Sequence, residues 1–160
     1  MRASTIAKTA AAVAATAVSG SVATDPSSAW YRSLRKPPFQ PPSAAFPIVW
    51  TALYADLALS AAAALDGLEG RALEAERRRY LRALTANLVL NAGWSWLFWR
   101  ARRPWIAAAE CALLAASSAD LVRRTARVSR ASGAALAPYA LWCTFATVLT
   151  TAIARRNPRA

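Results

Sequence analysis

The stretch Trp30-Tyr31-Arg32-Ser33-Leu34-Arg35-Lys36-Pro37-Pro38-Phe39-Gln40-Pro41-Pro42, followed shortly by Phe46-Pro47-Ile48-Val49-Trp50-Thr51-Ala52-Leu53-Tyr54, decides how this chain is read. A stiff, proline-dense, aromatic loop runs straight into an apolar helix that opens with Trp and Tyr. The backbone groups of such a loop lack partners, so it cannot lie in hydrocarbon unless protein covers it. It belongs at a membrane surface, where it would cap a space between helices.

Composition supports a membrane setting. Hydrophobic residues make up 56% of the chain, yet it carries 20 Lys+Arg against 8 Asp+Glu. The two features separate along the sequence, with apolar blocks divided by arginine clusters. Residues 9–24, 37–55, 83–99 and 131–154 are uncharged, and 104–122 is interrupted only by Glu110 and Asp120. A hydrocarbon core of about 30 Å needs roughly 20 helical residues, which is the size of these blocks. The expected fold is an all-α integral membrane protein, multi-pass and most simply placed in a bacterial cell membrane. The single domain, 1–160, would be a five-transmembrane-helix bundle with helices at 5–23, 45–65, 80–100, 104–122 and 134–154.

The net charge of +12 raises nucleic acid as a partner. The arginines, however, flank the apolar blocks, where they suit lipid headgroups and topology signals, and no nucleic-acid partner is expected. The two ends of the bundle would carry eleven and nine basic residues, Arg159 among the nine, a weak lean toward a cytoplasmic N-terminus. Residues 1–23 also read as a secretory signal, with Arg2 and Lys8 before an alanine-rich run and Ser21-Val22-Ala23 as a small-residue cleavage site. A retained first helix is the expectation.

Histidine is absent, which removes the commonest haem iron ligand. Cys111 and Cys143 sit inside expected spans without paired spacing, so neither a disulfide framework nor a metal site is expected. No phosphate loop or nucleophilic triad is present. No catalytic residue, metal or cofactor is assigned, and the chain is not expected to be an enzyme.

The connection 24–44 holds Pro26, Pro37, Pro38, Pro41 and Pro42, and is stiffened by them. Trp30, Tyr31 and Phe39 argue that it docks on the bundle as a lid; an aromatic belt at the lipid interface is the alternative. In the third span Asn87, Asn91 and Trp94 fall at i, i+4 and i+7 on one face. Two amides in hydrocarbon need partners, which another helix or a ligand would supply. Trp96 and Trp99, near the helix end, read as belt residues. In the fifth span Tyr139, Trp142, Cys143 and Ala146 form one stripe. Glu110 is the intramembrane acid with the strongest claim to a function. Asp56 receives no role, and Asp120 beside Arg123 and Arg124 marks a helix end.

These segments resemble the TspO/MBR translocator family, the tryptophan-rich sensory proteins, over roughly residues 30–157. The resemblance rests on Trp30-Tyr31, Leu34, Lys36-Pro37, Pro41-Pro42, Val49-Trp50, Leu53-Tyr54, Asn87, Asn91, Pro138-Tyr139, Trp142 and Phe145-Ala146-Thr147 in order. It implies five helices with a pocket beneath the first long loop. It also implies binding of porphyrin or haem, a sensory or stress-regulatory role, and in some members slow light-dependent porphyrin breakdown. The expected ligand-binding residues are Trp50, Tyr54, Asn87, Asn91, Trp94, Cys111, Tyr139, Trp142 and Ala146. The lid would comprise Trp30, Tyr31, Arg35, Lys36, Phe39, Pro41 and Pro42. Phe39 stands where the family usually has Trp. Thr150 and Thr151 occupy the region where the sterol motif of animal members has Tyr, so no sterol specificity is expected. Besides the lipid bilayer and a tetrapyrrole, a second copy of the chain is the expected partner, packed through alanine-rich faces. Two rival readings are a proton-coupled exporter using Glu110 and a structural membrane partner with no pocket.

Overall fold

A computed structural model describes residues 1–158; Arg159, counted in the charge balance, lies outside the described residues. Every regular element among the described residues is helical: α1 (Ala3–Ala23), α2 (Ala29–Ser33), α3 (Ala45–Gly70), α4 (Glu74–Ser95), a π-helical turn (Trp96–Arg100), α5 (Pro104–Val128) and α6 (Arg130–Arg156). Six α-helices therefore stand where five were expected. The extra one, α2, is a single turn within the 24–44 connection, capped by the Ser28 hydroxyl accepting the Tyr31 N–H at 3.3 Å.

Four helices, α1, α3, α5 and α6, are long and apolar enough to cross a membrane. Helix α4 falls short by composition because its first nine residues include Glu74, Glu76, Arg77, Arg78, Arg79 and Arg82. The outer surface is greasy: Val18, Ile48, Leu59, Val89, Leu113, Leu141 and Val148 are all exposed. Side chains of this kind on the outside of a bundle are what a lipid solvent permits.

The helices overrun their expected limits at the charged ends. Helix α3 continues to Gly70, α4 starts at Glu74, α5 reaches Val128 and α6 begins at Arg130. Charged runs end a hydrophobic span without ending a helix. Arginine is a good helix former, and Glu74 and Glu76 sit in the first turn of α4, where the helix dipole favours acids. The opposite correction applies to the expected 80–100 helix: the α-helix stops at Ser95, and the π-helical turn follows.

Helix α1 reaches its neighbours mostly through small residues. Thr5, Thr9, Val13, Thr16 and Ala23 form the buried face of α1, which packs on α3 and α4. Thr9 donates to the Ala58 carbonyl of α3 at 2.9 Å, and Thr5 donates to Asp66 at 2.6 Å. The Arg2 guanidinium pairs with both Asp66 and Glu69. Helix α1 is thus tied to the bundle along its length. The most extensive interface joins α5 to α6. Ser129 alone separates them, serving as the last cap of α5 and as N-cap of α6, where its hydroxyl accepts the Ser132 N–H at 3.2 Å.

The bundle has two unlike ends. One carries the 24–44 connection, the π-helical turn and the C-terminus of α6; the other carries Arg2, the α3–α4 turn and Ser129. In the α3–α4 turn Ala72 adopts a left-handed φ of 55°, with Leu73 N–H reaching back to the Leu68 carbonyl at 3.0 Å. Glycine holds this helix-ending conformation without the roughly 1–2 kcal/mol that a Cβ costs. Ala72→Gly is expected to raise the thermal unfolding midpoint in detergent; an unchanged or lower midpoint would contradict the strained turn.

Candidate functional site

Trp50 and Tyr54 lie one turn apart on α3, their rings 5.2 Å between centroids. Tyr54 donates to Asn91 Oδ1 of α4 at 2.6 Å. Asn91 Nδ2 donates to the Tyr139 hydroxyl of α6 at 3.1 Å, and Tyr139 donates in turn to Asn87 Oδ1 at 2.7 Å. Asn87 Nδ2 completes the chain on Ser118 of α5 at 3.0 Å and Ser117 at 3.2 Å. One polar thread therefore crosses four helices, and each amide meets the need that burial imposes on it. Asn87 and Tyr139 are fully buried and spent in this thread. Asn91 has a second exposure, because it also lines a cavity.

That cavity, about 420 Å³, opens among the helices at the end carrying the 24–44 connection. From α3 it takes Trp50, Tyr54, Phe46 and Pro47, and from α4 Asn91, Trp94 and Ser95. The π-helical turn supplies Phe98 and Trp99, and α6 supplies Leu149, Thr150 and Ile153. Helix α1 closes the side with Ala17, Gly20 and Ser21; a Cβ on Gly20 would stand 3.2 Å from the Ser95 hydroxyl, so the two helices approach closely here. The Trp94 indole stacks on Phe98 at 5.7 Å and donates to Thr150 at 3.3 Å.

The connection forms the roof through Thr24, Pro26, Tyr31, Gln40 and Ser43. Its anchors are aromatic and apolar. Trp30 meets Phe98 edge-on at 5.5 Å, Tyr31 packs on Trp99 at 4.5 Å, and Leu34 is buried among Phe98, Leu149 and Ile153. Asn157 brackets Arg35 from the end of α6, accepting its N–H at 2.9 Å and donating to its carbonyl at 3.0 Å. Lys36 Nζ sits 4.3 Å above the Tyr31 ring, and Gln40 donates to the Tyr31 hydroxyl at 3.2 Å. Asp25 is the acid of this loop, and the Ser27 hydroxyl holds its carboxyl below the ordinary range, so it is ionised at neutral pH.

Of the residues singled out from the sequence, Trp50, Tyr54, Asn91, Trp94 and Tyr31 meet at the cavity. Trp142 stands behind Trp50, their rings 6.4 Å apart and nearly perpendicular, and does not line it. Cys111 is buried against α6, its thiol 3.8 Å from the Cys143 carbonyl, and Ala146 is half-buried away from the cavity. In the loop, Trp30 and Arg35 anchor the roof, Phe39 is exposed and meets Phe145 edge-on with ring centroids 6.4 Å apart, Pro41 is half-buried and Pro42 is exposed.

The cavity also recruits residues that the sequence reading had placed elsewhere. Trp99, read as a belt residue, joins the wall because the π-helical turn widens the helix and brings both Phe98 and Trp99 inward. Trp96 stays exposed, donating to Ser19 of α1 at 3.1 Å. Phe46, in the deciding stretch but given no binding role, and Gly20, which had no distinguishing pattern, also line it.

Comparison with known proteins shows the family. The chain matches the sequence model of the TspO/MBR family across residues 8–156. It is 33% identical over 133 residues to the tryptophan-rich protein TspO of Chlorobaculum tepidum, covering 83% of this chain and 82% of that one. It is 32% identical over 128 residues to the uncharacterized membrane protein YtaB of Bacillus subtilis, covering 80% of each. The translocator protein of Ovis aries is 32% identical over 120 residues, covering 75% of this chain and 70% of that one. With four apolar helices of spanning length and a match over nearly its whole extent, the chain belongs to the TspO/MBR family and is a multi-pass membrane protein.

Proposed function

We propose that the chain is a membrane receptor that binds a flat amphipathic tetrapyrrole, porphyrin or haem, in the aromatic cavity under the 24–44 loop, and that the loop is its lid. The observation that carries this reading is a ligand-sized cavity walled by Trp50, Trp94, Phe98 and Trp99 and roofed by Tyr31 and Gln40. Sites for small organic ligands usually measure about 300–1,000 Å³ and combine apolar walls with a few polar groups. In this reading all five long helices cross the membrane, α4 through its uncharged stretch 83–99.

The protein supplies binding and no covalent chemistry. The macrocycle lies against the indoles, each such contact contributing about 0.5–1.5 kcal/mol beyond area burial. Gln40 Oε1, buried without a partner among the described residues, is a free acceptor at the roof. Lys36 and Arg102, each over an aromatic ring of the loop, place positive charge where propionates would emerge.

Titration of the detergent-purified protein with protoporphyrin IX is expected to quench tryptophan fluorescence saturably at micromolar concentrations. Trp94→Ala is expected to raise the apparent Kd roughly 2- to 12-fold. Trp105→Ala, at an exposed indole, should leave it unchanged. Linear quenching that ignores both substitutions would mean partition into the micelle and would end the receptor reading.

One observation favours a second reading, the proton-coupled exporter. Both carboxyl oxygens of Glu110 are buried without a partner among the described residues, beside Gly93 of α4. Acidification of liposomes driven by a porphyrin gradient, abolished in Glu110→Gln, would select it over the receptor.

A further inference from the structure

The end of the bundle away from the cavity holds a second hollow of about 380 Å³ with a different chemistry. It is bounded by the last turn of α3, the α3–α4 turn, the first turns of α4 and the last turn of α5. Arg71, Arg79, Arg124 and Arg127 line it, with Glu76 as the acid among its lining residues. Two of these arginines are already paired: Arg79 with Glu76 at 2.7 Å, and Arg124 with Asp120 at 2.5 Å. The other two have no carboxylate partner among the described residues. Arg71 spends one N–H on the Val128 carbonyl at 3.2 Å, and Arg127 makes no side-chain hydrogen bond among the described residues. Two guanidinium groups with unused donors border one recess, and planar guanidinium forks are the donors that suit a phosphate.

The rest of the wall says which phosphate. Leu68, Leu73 and Val128 line the same hollow, and Leu73 is itself exposed. A free inorganic anion has no use for an apolar wall, whereas a phospholipid brings a charged headgroup joined to glycerol and acyl chains. The position agrees, because the hollow lies where α3 and α5, both of membrane-spanning length, reach their ends. Tyr80 forms its floor, held by a 2.8 Å hydrogen bond with Thr125 of α5, so the hollow is a built recess between α4 and α5.

We propose that this recess binds the headgroup phosphate of an anionic phospholipid, with Arg71 and Arg127 holding the phosphate and Leu68, Leu73 and Val128 packing against the glycerol and first methylenes. The site is separate from the aromatic cavity and does not rest on the tetrapyrrole reading. It would tie the α3–α4 turn to the end of α5 and make the stability of this end depend on lipid composition.

The test uses the full-length protein in a neutral detergent, with the thermal unfolding midpoint as readout. Dioctanoyl-phosphatidylglycerol is expected to raise the midpoint saturably, while dioctanoyl-phosphatidylcholine and inorganic phosphate at equal concentration do not. The double variant Arg71→Gln/Arg127→Gln should weaken the phosphatidylglycerol response at least about tenfold in concentration. Arg71→Lys/Arg127→Lys keeps the charge but loses the planar fork, and should give an intermediate response even if the glutamine pair folds poorly. Equal shifts from both lipids, shifts from phosphate alone, or a response untouched by either double variant would overturn the proposal.

Discussion

Gly133→Ala is expected to destabilise the protein by roughly 1–3 kcal/mol, the usual cost of overpacking. In an ordinary helix the same change would stabilise by about 1 kcal/mol, because alanine is the better helix former. Here the sign reverses. A Cβ on Gly133 would lie 2.5 Å from Ala126 Cβ, 2.6 Å from its Cα and 2.8 Å from its nitrogen. Two of those atoms are backbone, so no side-chain rotation relieves the contact. Helix α6 would have to lift off α5 just after Ser129, where the connection has no slack. Gly70→Ala is the control, since nothing lies within 4 Å of the added carbon. Thermal melts in detergent should show a clear drop for the first and none for the second. Equal melts would mean that the α5–α6 hairpin is looser than described.

Asn87→Leu is expected to cost about 2 kcal/mol while leaving ligand affinity within about twofold of the parent. Leucine fills a similar volume, so the loss is polar. Tyr139 loses its acceptor, and Ser117 and Ser118 lose their donor, all within the buried centre of the bundle. Hydrogen bonds between membrane helices contribute up to about 1.7 kcal/mol each, because the unfolded chain in lipid also finds partners. Asn91→Leu provides the contrast. It orphans the Tyr54 hydroxyl and also alters the cavity wall, so both the melt and the protoporphyrin titration should change. If the two substitutions had the same effect on binding, the separation between interhelical thread and cavity wall would fail.

The contrast between these two asparagines marks where reading along the chain stops. Their i, i+4 spacing put both on one face and required both to find partners. Which partner each found depended on Tyr139 and Tyr54, which lie on helices distant in sequence. Trp99 makes the same point in the other direction. Its place near a helix end reads as a belt position, yet a local widening of the backbone turns it into the cavity. Local sequence carries no clear mark of that π-helical turn, since its hydrogen bonds shift by one residue in response to packing.

What one dimension recorded was the solvent each segment prefers. Uncharged blocks, arginine flanks and the proline-aromatic loop were enough for an all-helical membrane protein, because transfer to hydrocarbon is a property of each stretch taken alone. Assembly in three dimensions settled the remainder: the partners that Asn87 and Asn91 find, and the choice of Trp94 over Trp142 as cavity wall. It also gathered four arginines from three segments into one recess. Those outcomes depend on which faces meet, and close packing among helices distant in sequence selects the faces.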